Sequence, residues 1–190
     1  EVLLSGTIQG LGFGIFLAVW LGLGLYLTSP EMGYGADTVG YLAALSLMNV
    51  FTTPFFGKWA DRIGPRRLRA SVALIQFSGV CLLGVFGHSL WLLLVPLMLM
   101  NVVGPLVDVT GRMTFLNQPP DVRTRLMTAY IVLMFTGGGL ASWGATSVYE
   151  HWGWHGTATL ALVMSAILLT LALISVRLDP KRPRDTDAET

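Results

Sequence analysis

A single cysteine, Cys81, excludes an internal disulfide and any metal site built on several cysteines. It falls in an apolar run, where a small inert hydrophobe is the expected role. Charge is scarce: Asp, Glu, Lys and Arg make up 12% of 190 residues, against about a quarter in soluble domains. So little polar surface cannot coat a core in water, and the chain reads as a membrane protein. A net charge of +1 gives no reason to expect nucleic-acid binding. Whole regions lack basic residues: none of the 12 Lys and Arg lies in 28–37, 88–89 or 150–155. No charged leader or cleavage site precedes the first apolar run, so no signal peptide is expected. The chain begins at Glu1 without Met and is expected to be cut from a longer one.

What is present is a series of long apolar runs, at about 3–27, 38–56, 68–87, 90–114, 126–149 and 156–176. A crossing needs about 20 apolar residues, with some tilt for the longer runs. The expected fold is an all-α membrane protein, a six-transmembrane-helix bundle over 1–177, followed by a polar tail, 178–190, expected to be disordered. Charge placement tests this layout. Lys58, Arg62, Arg66, Arg67 and Arg69, then Arg112, Arg123 and Arg125, then Arg177, Lys181, Arg182 and Arg184 all fall on one side of six crossings. By the positive-inside rule that side is the cytoplasm, and both termini are there. Neither five nor seven spans places every charge.

In the first span Gly6, Gly10, Gly14, Ala18 and Gly22 recur every four residues. Such a smooth face lets helices touch backbone to backbone. Gly10–Gly14 is no dinucleotide-binding loop, because no strand precedes it and the apolar run continues without a turn.

The densest charge lies in Gly57-Lys58-Trp59-Ala60-Asp61-Arg62-Ile63-Gly64-Pro65-Arg66-Arg67, a turn between two apolar runs. Gly64-Pro65 stops one helix and turns the chain. The string G-x-x-x-D-R-x-G-x-R-R, with Gly57, Asp61, Arg62, Gly64, Arg66 and Arg67, resembles the signature loop of the major facilitator superfamily. The resemblance covers nearly the whole chain and implies one six-helix half of a twelve-helix transporter. Asn117–Arg125, Tyr130, Gly137–Gly139 and Gly153-Trp154 look like the last third of bacterial proton-driven efflux members. That implies the C-terminal half, with an N-terminal six-helix half of the same transporter as its partner. Such proteins usually carry an Arg inside the fourth helix of the first half. Here Arg112 stands at that helix's end instead.

The resemblance implies a secondary active transporter, not an enzyme, moving a small molecule by alternating access. Proton-coupled efflux through the plasma (inner) membrane is its expected form, with membrane lipid and H+ as further partners and no cofactor. It also implies that Asp61 meets a helix N-terminus in the other half and helps to hold the cytoplasmic side closed. The alternative is a self-standing six-helix membrane protein, either a homodimeric half-transporter or an intramembrane enzyme.

By the resemblance, the first, second, fourth and fifth helices line the cavity. Asn49 and Asn101 lie near the membrane midplane at about 1.5 Å of rise per residue, and Gln9 is shallower, on the cytoplasmic side. All three are candidate substrate contacts, with hydrogen bonding between helices as the competing role. Asp108 is the one acid inside a span. Arg112 follows at i+4 on the same face, so an ion pair is expected, with a proton site as the alternative. His151 and His155 flank Gly153 beside Trp152 and Trp154, which reads as an interfacial turn and not as a metal site. Ser142 lacks the G-x-S-x-G arrangement of a serine hydrolase.

Overall fold

The computed structural model describes residues 2–47, 62–87, 89–115 and 119–178. Asn49, Gly57, Asp61 and the tail from 179 onward therefore lie outside the described residues. All regular structure among the described residues is helical: α1 Val2–Leu27, α2 Ala36–Ala43, which runs on as a 3-10 turn Ala44–Leu47, α3 Pro65–Val85, α4 Leu90–Met113 and α5 Pro120–Arg177. α5 is not one rod. Gly153 has φ 58° and ψ −149°, a conformation open essentially to glycine alone, and the helix folds back there. Gly144 then faces Leu160, and Gly156 faces Val148, so the arms 120–152 and 154–177 run side by side.

With those arms taken separately, the described residues hold six helical segments of a full turn or more. α1, α3, α4 and α5 are long and apolar enough to cross a membrane. Each arm of α5 exceeds the ~20 residues that a crossing takes.

Local chemistry sets the ends. Pro65 opens α3 at its first position, behind Gly64 at φ 87°. Proline suits that position because its missing N–H is not needed there. Pro120 does the same for α5, with Asp121 in the first turn. Helix thus begins at 120, where a loop to 125 is expected from the charges. α3 likewise begins at 65 and ends at Val85, against the expected 68–87. At the end of α1, the hydroxyls of Thr28 and Ser29 donate to the carbonyls of Gly24 (2.8 Å) and Tyr26 (2.7 Å). They satisfy acceptors that the helix leaves open. The turn expected over 150–155 is helical on both sides of Gly153.

α1 packs chiefly on α5, and α3 on α4 and α5. The α1–α5 crossing rests on the small residues of α1. A Cβ on Gly137 would come 2.7 Å from the Gly10 Cα, and one on Gly14 would meet both Ala141 and Met164 within 3 Å. Backbones can come this close only where neither side carries a side chain. At the far end, Tyr26 stacks on Trp154 at 5.2 Å between ring centroids.

Arg69, 1% exposed, lies inside the bundle. Its Nη1 donates to Ser5 Oγ at 3.1 Å and its Nη2 to Ser175 Oγ at 2.9 Å. One guanidinium thus joins α1, α3 and the last turns of α5, and its fixed fork of donors is what such a three-way tie needs.

Candidate functional site

Gln9, Gly12, Phe13 and Phe16 stand at i, i+3, i+4 and i+7 on α1, hence on one face. Gly104, Pro105, Asp108 and Arg112, at i, i+1, i+4 and i+8, fall within about 100° of one another on α4. The two faces, with Met134 from α5, enclose a cleft of about 300 Å³. Phe13 and Phe16 supply apolar wall, and Phe13 is held edge-on against Phe135 of α5 at 5.7 Å. Gly104 leaves one side open, since a Cβ there would meet nothing within 4 Å.

The charged group of the cleft is the pair expected from the i+4 spacing. Arg112 Nε lies 2.9 Å from both carboxylate oxygens of Asp108. An acid placed N-terminal to a base at this spacing is the favoured order on a helix. Tyr130 of α5 completes the arrangement. Its ring is 0% exposed, and its hydroxyl donates to Asp108 Oδ1 (3.1 Å) and to the Asp108 carbonyl (3.2 Å). The Arg112 guanidinium lies 5.8 Å above the Tyr130 ring centre, and Phe115 packs edge-on against it at 5.7 Å. Gly111 makes this possible, because a Cβ there would collide with the Tyr130 hydroxyl. Asp108 is therefore fixed from two helices, and its charge is matched where it stands.

Gln9 is 5% exposed. Its Nε2 donates to Met134 Sδ at 3.4 Å, and its Oε1 has no hydrogen-bond partner among the described residues. Buried polar atoms are rarely left so.

The structure thus brings Gln9, Asp108 and Arg112 together in one cleft. Asn101 is not among its lining residues: it is buried on α4, with Nδ2 donating to Leu97 O at 2.9 Å. Of the signature loop, Arg62 and Arg67 are exposed. Arg66 Nη1 donates to the carbonyls of Leu178 (3.0 Å) and Ser175 (3.4 Å) at the end of α5, a favourable place for a cation at a helix C-terminus. Phe13, Phe16 and Met134 escape a reading of the sequence, because an apolar residue in an apolar span carries no mark. Met134 does sit one turn from Tyr130, a spacing that puts the two on one face.

The family model for the Major Facilitator Superfamily matches residues 2–190. A protein of Streptomyces coelicolor named as a probable transporter, SCO4007, is 30% identical over 154 residues, which is 78% of this chain and 35% of that protein. The uncharacterized transporter YgaY of Escherichia coli O157:H7 is 26% identical over 158 residues, 80% of this chain and 40% of that protein. The chain therefore spans well under half the length of these relatives. Among solved structures, the POT family transporter PepTSo superposes with a TM-score of 0.74 over 97% of this chain and 39% of its own, at 15% identity. That likeness concerns the fold alone. A family match over nearly every residue, on an all-helical bundle with a cleft between α1, α4 and α5, shows that this chain belongs to the major facilitator superfamily.

Proposed function

We propose that the chain is one half of a secondary active transporter, not an enzyme, that moves a small molecule by alternating access. The observation that carries this reading is the convergence of Gln9, Asp108 and Arg112 from α1 and α4 on one cleft. Polar groups within a span are costly, and their clustering at a cavity is the usual mark of a transport pathway. A second six-helix half of the same transporter closes the cleft from the other side. Efflux is driven by protons across the plasma (inner) membrane, and both termini face the cytoplasm. Asp108 is held by Arg112 and Tyr130 as a structural acid. The proton-carrying carboxylate then belongs to the other half. Asp61 latches the cytoplasmic side against a helix N-terminus of that half.

The test is a compound screen on the full-length protein in vesicles with an imposed proton gradient. Movement of at least one compound that stops when the gradient is collapsed is the expected result. Movement indifferent to the gradient overturns proton coupling. Movement of nothing, from a protein that is folded and correctly inserted, overturns the transport reading.

A further inference from the structure

The cleft also limits the chemistry of what enters it, if transport is its role. Three features converge. The first is the orphan oxygen of Gln9. An amide can be built either way round, but a thioether cannot donate a hydrogen bond. With its NH2 end on Met134 Sδ at 3.4 Å the amide makes a hydrogen bond that the reversed amide would lose, and the carbonyl oxygen is the end left without a partner. It can only accept.

The second feature is charge. Asp108 and Arg112 cancel each other at 2.9 Å, and Tyr130 takes up a further site on Oδ1. A cationic ligand would have to compete with Arg112 for the carboxylate. An anionic one could reach the outer Nη1 and Nη2 donors of Arg112, but only against the repulsion of the carboxylate that already holds its Nε. Neither sign is drawn into a cleft that is already neutral.

The third feature is the wall. Phe13, Phe16 and Pro105 are apolar, and Met134 lies against the Gln9 amide. Methionine is a flexible and polarizable cover, suited to yielding when an apolar body enters.

We propose that the ligand of this cleft is an uncharged apolar molecule carrying a neutral hydrogen-bond donor, a hydroxyl or amide N–H, which Gln9 Oε1 accepts. This rests on the transport reading, but its test does not use transport. The probes are 4-hydroxybenzophenone and 4-methoxybenzophenone, which differ in the donor. Two charged relatives carry a carboxylate or an aminomethyl group at the same position. Each is photo-crosslinked to the full-length protein in nanodiscs, and labelled peptides from α1 and α5 are quantified against probe concentration.

The hydroxyl probe should half-saturate at roughly tenfold lower concentration than the methoxy probe, the scale of one hydrogen bond to a buried acceptor. Gln9→Met should erase that difference. The variant removes an unsatisfied buried oxygen at similar volume, so it should melt no lower than the parent protein. Equal saturation by the two neutral probes overturns the proposal, and so does a preference that survives Gln9→Met. Tighter labelling by either charged probe overturns its neutrality. Failure of the transport reading looks different: donor-dependent labelling persists while no compound moves under a gradient.

Discussion

Two glycines on the same face of α4, Gly104 and Gly111, lie seven residues apart and offer a paired experiment. Gly104 opens on empty space in the cleft, whereas Gly111 lies beneath the Tyr130 ring. Gly104→Leu adds four heavy atoms. At about the 30 Å³ that a water molecule occupies, they take up roughly 100 Å³, a large part of a cleft of about 300 Å³. Overfilling a packed space costs about 1–3 kcal/mol, so ligand binding should weaken roughly five- to a hundredfold. Folding should change little. Helix propensity gains up to about 1 kcal/mol, and the crowding of any Cβ by the following Pro105 offsets part of it.

Gly111→Ala should do the reverse. Its Cβ strikes Tyr130, and the ring can move only by giving up its bonds to Asp108. Overpacking and a lost hydrogen bond together cost about 2–4 kcal/mol of stability. Thermal unfolding followed with a thiol-reactive dye at Cys81 reads stability, and vesicle transport reads function. Undiminished transport by Gly104→Leu, or a parental melting curve for Gly111→Ala, would refute this account of the site.

Other outcomes follow from the packing. Gly137→Ala should destabilise the bundle by about 1–3 kcal/mol, because its Cβ would come 2.7 Å from the Gly10 backbone. Gly139→Ala, which meets nothing within 4 Å, should be tolerated. Melting curves of the two variants decide it. Arg69→Ala removes the bonds to Ser5 and Ser175 and should cost about 1.5–3 kcal/mol for each. Arg69→Lys should recover only part of that loss, measured in the same way. Single cysteines at Ser29, Ser89 and Glu150 in a Cys81→Ser background should react with an impermeant maleimide added to whole cells. Protection of these sites would contradict the proposed orientation.

The sequence showed some of this because its signals were local. The four-residue recurrence of Gly6, Gly10 and Gly14 announces a close helix crossing whatever the partner. The Asp108–Arg112 spacing announces an ion pair within one helix. Gln9 stands out as a polar residue in an apolar run. What stayed hidden depends on which helix faces which. The role of the Tyr130 hydroxyl requires α5 to lie across α4 at Gly111. Arg69 reads as one more basic residue marking the membrane edge, and only the approach of Ser5 and Ser175, from opposite ends of the chain, turns it inward. The start of α5 was obscured because Pro119-Pro120 and the charges after it resemble a loop. A proline at the first helical position is equally at home.

The fold-back at Gly153 ties the length of the chain to the direction in which its side chains point. Most connections between helices are loops that absorb an added residue. Here one residue makes the reversal, and helix runs up to it from both sides. Ala141 from one arm and Met164 from the other both rest on Gly14 of α1. One inserted residue beside the reversal would rotate an arm by about 100°, since a turn of helix takes 3.6 residues. It would swing Met164 or Ala141 away and bring a side chain of different size against the glycine. Residue number at this bend is therefore under the same constraint as residue identity in the core. Insertions that a surface loop would accept should scramble the α1–α5 contact over its whole length.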